Sequence, residues 1–200
     1  MTMSDQGASD QGASDQSVSV GKTKGFTLPR AIDVTIVPAG TQRTLPEGDR
    51  VTILQALGNT ATVTTSDGEM ARLSKTDSID FGFIDAPDPA NEATSGPFTT
   101  DKVWEAATTV FDPEIPVDIV ELGLVYRVDA TALETGGWHV EVDMSVTAPF
   151  CGMGDILRLD LHDAVAAIPD VETVDVQLVF DPPWDASRLS DVARLELGFM

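Results

Sequence analysis

Cys151 is the chain's one cysteine. A single thiol excludes an intramolecular disulfide framework, and it excludes a zinc or cluster site whose several thiolates all come from one chain. Any metal-sulfur chemistry must therefore borrow ligands. Basic residues are scarce as well: 12 Lys plus Arg stand against 33 Asp plus Glu, a formal charge of −21. Such a field repels phosphate backbones and anionic headgroups, so nucleic acid and membrane are excluded as expected partners, and basic or metal-bearing ones fit better. The acidity itself has two readings, an organism adapted to high salt or simply a soluble, self-repelling surface. No run approaches the about 18 consecutive apolar residues that span a bilayer, and the N-terminus lacks the basic-then-apolar run of a signal peptide. The expected location is the cytoplasm.

What is present suffices for a core. At 200 residues and 42% hydrophobic content, one or two compact domains are expected. Residues 1–28 read as a disordered polar tail, because the repeat SDQGASDQGASDQ at 4–16 has no aromatic or β-branched residue to offset its ordering entropy. Residues 29–84 hold short alternating runs broken by turns: Val34 and Ile36, Pro38-Ala39-Gly40, Val51 and Ile53, Gly58-Asn59, Ala61 and Val63, Ser66-Asp67-Gly68, Met70 to Leu73. That pattern predicts a small β meander or barrel. Residues 85–98 carry three prolines among acids and small polar residues, the composition of a stiff linker.

Residues 99–200 read as α-β-β-α-β-α. Thr99 or Thr100 caps a helix carrying Val103, Ala107, Val110 and Phe111, which Asp112-Pro113 ends. Leu124 to Val128 is a short strand. Trp138, Val140, Val142, Met144 and Val146 alternate with polar residues. An amphipathic helix at 155–168 shows Ile156, Leu159, Ala164, Val165 and Ile168 as its apolar stripe. A strand with Val174, Val176, Leu178 and Phe180 follows, then a last helix from about Ser187 to Leu197. The fold class is α+β: a small mixed sheet covered by helices, preceded by the β module.

Cys151 lies in Thr147-Ala148-Pro149-Phe150-Cys151-Gly152-Met153-Gly154, between the long strand and the strongest helix. The free amides of a helix start would welcome a thiolate or a cluster sulfide. The helix end contributes only about 0.3–1 kcal/mol to an anion, so hydrogen bonds must supply any larger shift. A lone cysteine is equally a small buried hydrophobe closing a turn. Two carboxylates, Asp112 and Glu114, share one proline-rich loop, where they either bind a metal or satisfy backbone amides at a helix stop. Trp184, in Asp181-Pro182-Pro183-Trp184, packs on the sheet or anchors a partner. His139 and His162 are the two bases a cysteine nucleophile could use, and neither has diagnostic spacing.

Three stretches in order, DPEIPVDIVELGLVY at 112–126, VTAPFCGMG at 146–154 and LVFDPPWDASRLSDVARLELGF at 178–199, resemble the SufT family of iron-sulfur cluster assembly factors. The module before them, with Thr44-Leu45-Pro46-Glu47-Gly48 and Gln55-Ala56-Leu57-Gly58, is similar to that family's N-terminal extension. The sequence departs from the family's pattern at Asp118, where asparagine is expected, at Phe150, where glycine is frequent, and at Asn59, where a second glycine would complete a pair. The resemblance implies an auxiliary factor without enzymatic turnover. It implies Cys151 as transient ligand of an iron-sulfur cluster or iron, with Thr147, Asp112 and Glu114 around the cargo, and the assembly machinery and client apoproteins as partners. A cluster commonly takes four thiolates, so a homodimer would supply two and a partner the rest. The alternative is a metal-free adaptor between machinery and clients, with Cys151 structural. A cysteine-dependent hydrolase or transferase lacks an oriented base.

Overall fold

The structure, a computed structural model, describes residues 25–85, 96–148 and 152–199. Most of the expected tail, residues 86–95 of the expected linker, and Pro149, Phe150 and Cys151 lie outside the described residues.

The first unit is a six-stranded antiparallel sheet built from β1 (Gly25–Thr27), β2 (Ile32–Val37), β3 (Thr41–Leu45), β4 (Arg50–Leu57), β5 (Thr60–Thr64) and β6 (Met70–Arg72). Alternation makes the strands: Ile32, Val34 and Ile36 of β2 are buried while Asp33 and Thr35 point away from that core. Turns set the hairpins. Between β4 and β5 the link is Gly58-Asn59, with Gly58 first at φ +58°, the position a type II′ turn gives to glycine.

The spatial order, β1-β4-β5-β6-β2-β3, corrects the expected meander, since β6 inserts beside β2 through Ile36 opposite Ala71. Alternation reveals which face a residue takes but says nothing about which distant strand pairs with it. The expected tail also ends too late. Residues 25–27 pair with β4 and Leu28 is buried beneath the sheet, because Phe26 and Leu28 alternate into the core. Phe26 packs with Phe81 and Phe83, ring centroids 5.3 and 4.8 Å away. These two follow α1 (Lys75–Asp80), a short helix that the sequence reading left out and that Ser74 caps by accepting from the Asp77 amide.

The second unit holds α2 (Thr100–Ala107), β7 (Val125–Ala132), β8 (Trp138–Met144), α3 (Gly154–Ala166), β9 (Val171–Leu178), a 3-10 turn at Ala186–Arg188, and α4 (Asp191–Glu196). Its three-stranded sheet is mixed: β7 runs antiparallel to β8, and β9, reached through α3, runs parallel to it. Val140, Val142, Met144 and Val176 meet Val103, Ala107, Leu157, Leu161 and Val165 in one core. Phe98, assigned to the linker by composition, belongs here instead, stacked 4.8 Å from Trp138 because an aromatic beside a proline gains more by covering the sheet end than by staying wet.

The α3 stripe also differs from expectation. Leu157, Leu161, Val165 and Ile168 are buried, whereas Leu159 is 50% exposed. The i, i+4, i+8 row faces the sheet, and Ile156 and Leu159 turn toward the first unit. Among the described residues no helix is long and apolar enough to cross a membrane.

Candidate functional site

The segment that carries Cys151 joins β8 to α3, and both of its described ends are anchored. On the strand side the Ser145 amide donates to Leu124 O at 2.8 Å and Val146 is buried. On the helix side Met153 is buried, and a Cβ on Gly154 would stand 3.3 Å from both Val146 and Leu178, so the start of α3 lies tight on the sheet. Thr147, half-buried, is the last predicted site residue before the undescribed stretch. Met153, at the N-cap of α3, provides no side-chain hydrogen bond to the first turn, so the helix start is capped by no carboxylate or hydroxyl of its own.

Asp112 and Glu114 behave as a turn. One carboxylate oxygen of Asp112 accepts from the Glu114 amide at 2.9 Å, an Asx turn in the loop beyond α2, which ends at Ala107 and so leaves out the Val110 and Phe111 expected in it, while Glu114 itself is exposed. Burial pushes the Asp112 carboxyl above the ordinary carboxylate value, against the hydrogen bonds from the Glu114 and Ile115 amides and the pull of Arg72. Among the described residues no three Asp, Glu, His or Cys side chains converge as metal ligands. Asp112 and Glu114 belong to no such group among the described residues, and Cys151 lies outside them.

The other candidates have structural occupations. His139 Nδ1 lies 2.7 Å from the Thr173 hydroxyl on the open sheet face, and His162 Nδ1 is 3.1 Å from Asp163 on α3. The Trp184 indole N–H donates to Leu122 O at 2.8 Å and the ring packs on the core, which selects packing over display.

What the sequence reading missed is the seam between the two units. Arg72 of β6, 8% exposed, donates to Thr60 Oγ1 at 3.1 Å and pairs with Asp160 of α3. Burial raises the Asp160 carboxyl above its ordinary value despite that partner. The Asn59 amide donates to Thr109 Oγ1 at 3.1 Å, and Gln55 Nε2 donates to Asp112 O at 3.4 Å. A cleft of about 450 Å³ opens along the seam between β6, α1 and α3, with Lys75, Asp160, Asp163, Phe111 and Leu159 among its walls. One signal was available: Arg72 sits in the apolar run Met70 to Leu73, and a cation there demands a buried acid. Which acid, 88 positions away, local pattern does not tell.

Residues 100–176 match the family model described as "Iron-sulfur cluster assembly protein". The chain is similar to a Fe-S protein maturation auxiliary factor of Porphyromonas gingivalis, 38% identical over 51% of this chain and 93% of the relative. It is similar to the Bacillus subtilis factor YitW, 37% identical over 49% of this chain and 92% of the relative. The Staphylococcus aureus factor SufT is likewise 37% identical, over 44% of this chain and 97% of the relative.

Proposed function

The chain belongs to the family of iron-sulfur cluster assembly proteins, and from that premise we propose that it is an auxiliary factor in the maturation of iron-sulfur proteins. The observation that carries this reading is that the chain covers 93% of a maturation factor at 38% identity. The cluster or iron is cargo, handled by Cys151 without enzymatic turnover. A chain with one thiolate offers too few ligands for a stable site. Cys151 therefore shares its cargo with a second copy of the chain, a carrier or a client apoprotein. The charge of −21 favours release, because it raises the energy of a thiolate or an anionic cluster held nearby and attracts basic clients. Asp112, Glu114 and Thr147 act on the segments flanking the cargo, Asp112 by fixing its turn rather than as a ligand.

The test is client enzyme activity, for instance of an aconitase, in cells lacking the protein and complemented with wild type or Cys151→Ala. Wild type restoring activity and the variant failing at equal accumulation is the expected result. Equal restoration by both sinks the role of the thiol and leaves an adaptor. Anaerobic reconstitution followed by sizing tests the sharing: iron held by a strict monomer is the contrary outcome.

A further inference from the structure

We infer that α4 and the turn after it form a docking surface for a basic amphipathic helix of another protein. Six large apolar side chains are prominently exposed among the described residues, and three of them fall within eight positions: Val192 at 59%, Leu195 at 62% and Phe199 at 64%. A solitary exposed apolar side chain asks for no account, but a group of them marks a surface that something covers. Ala193 and Leu197, four apart, pack on the core, so Val192 and Leu195, three apart, share the outward side of the helix. Both ends of this display are fixed. Ser190 accepts from the Ala193 amide at 3.0 Å while its own amide donates to Glu121 O at 3.0 Å. At the other end Gly198, at φ +73°, turns the chain so that the Phe199 amide reaches back to Arg194 O at 2.8 Å.

Charge selects the occupant. By helical spacing Asp191 and Glu196 border the pair Val192 and Leu195 on its two sides. Asp191 is fully exposed, and among the described residues Glu196 has no cationic partner. The two nearby cations are engaged: Arg194 donates to Ser187 O at 2.8 Å and lies 3.8 Å from Asp191, and Arg188 stacks 3.8 Å over the Tyr126 ring. An apolar ridge between carboxylates, on a chain of −21, is complementary to a helix whose apolar row is bordered by Lys and Arg. A second copy would set Asp191 and Glu196 against their own kind, and anionic lipid and nucleic acid are repelled in the same way. Two turns of helix make a contact at the small end of specific interfaces, which suits a partner that must leave again. Assigning that partner to the clients or the assembly machinery rests on the proposed function; the surface itself does not.

The experiment uses the full chain and a fluorescein-labelled synthetic peptide of about four helical turns, in which Leu recurs at helical spacing and Lys fills the other positions. The same composition in scrambled order, and the same pattern with Glu for Lys, are the comparison peptides. Anisotropy titrations in about 0.1 M sodium chloride compare wild type with the double variant Val192→Ser and Leu195→Ser, with Glu196→Lys, which reverses one border, and with Leu54→Ser, which removes an apolar side chain 48% exposed on the first sheet. Unfolding midpoints show that each chain is folded. The patterned Lys peptide is expected to bind saturably, about tenfold more weakly to the double variant and more weakly to Glu196→Lys, with Leu54→Ser unchanged and the Glu peptide unbound. Equal binding of patterned and scrambled peptides, equal binding by wild type and the double variant, or no binding at all overturns the surface, the first two because net charge alone then attracts. A dimer in sedimentation equilibrium that the double variant loses overturns it too, since the occupant is then a second copy. None of these readouts uses client activity, so the surface can fail while Cys151→Ala still abolishes maturation, and can stand where Cys151→Ala restores it.

Discussion

Asp118 holds two backbone amides on one carboxylate oxygen, from Val120 at 2.9 Å and Glu121 at 3.0 Å, and so starts the turn that leads into β7. An amide oxygen would accept both bonds equally well. Burial pushes this carboxyl above its ordinary 3.8 against the pull of the Glu121 and Val120 amides, and the nearby Glu121 charge adds to the rise. With its folded value raised, the carboxyl favours folding in its protonated form, and that contribution is lost as pH rises above 3.8. Asp118→Asn is therefore expected to match or exceed wild-type stability at pH 7 and to lose its margin below 3.8, whereas Asp118→Ala, which strips both acceptors, should cost about 1–2 kcal/mol. Urea melts of the two variants separate the hydrogen bonds from the charge. At this scale the sequence was informative wherever a residue acts on its own neighbours, as in the Asx turn at Asp112, but the helix expected to run to Asp112-Pro113 ends earlier, at Ala107, and Phe111 pairs with Asp118 instead. It did not name the partners of Arg72, Gly40 and Gly58, which stand in the other unit.

Helix α3 shows why an apolar count can misplace a face. Ile156, Leu159 and Ala164 are as apolar as Leu157 and Leu161, and a helix that meets a sheet on one side and a second unit on another has two apolar sides. Only the docked structure separates them: Leu161 is fully buried against the sheet, and Leu159 lines the seam with half its surface in water. Leu161→Ala is expected to cost about 2–5 kcal/mol in transfer and cavity terms, and Leu159→Ala, by its exposure, under about 1 kcal/mol. Equal costs in chemical denaturation would return the helix face to the one the spacing suggested. The strands were legible for the opposite reason. Val140, Val142 and Met144 alternate into a single core, so period two leaves one solution. Their order in the first sheet was not legible, because the pairing of β6 with β2 closes across the intervening hairpins by long-range hydrogen bonds that no local run encodes.

Across the whole molecule the charges have one sign and so do their consequences. On the open face of the second sheet Asp129, Glu141 and Asp175 stand side by side across β7, β8 and β9, with Arg127 bound to Asp143 and Asp129 as its cation there. Like charges directly opposite destabilise a sheet, and a formal charge of −21 adds a general repulsion that the unfolded chain escapes by expanding. Asp112, Asp118 and Asp160 act in the same direction, since burial raises all three above 3.8 and each gives up a favourable protonated form as pH rises past that value. Asp185 runs the other way: Ser187 holds its carboxyl below 3.8, so its contribution is present above 3.8 and is lost only in more acid solution. On mild acidification from pH 7 to about pH 5, then, the three raised carboxyls and the net charge favour a more stable protein, and Asp185 opposes them only in more acid solution. The unfolding midpoint is expected to rise over that interval, by about 2–4 °C for each kcal/mol gained in a chain of this size. Salt should mimic the effect. Raising sodium chloride from about 0.1 M to about 1 M shortens the screening length from about 10 Å to about 3 Å, so the midpoint should climb with salt at pH 7 and climb less at about pH 5, where part of the repulsion is already titrated away. Thermal melts followed by circular dichroism at the four combinations decide it. A midpoint that falls on acidification would mean that carboxylates held low, as Ser187 holds Asp185, outweigh the buried ones. A midpoint indifferent to salt at pH 7 would mean that the acidic surface is already neutralised by bound counterions.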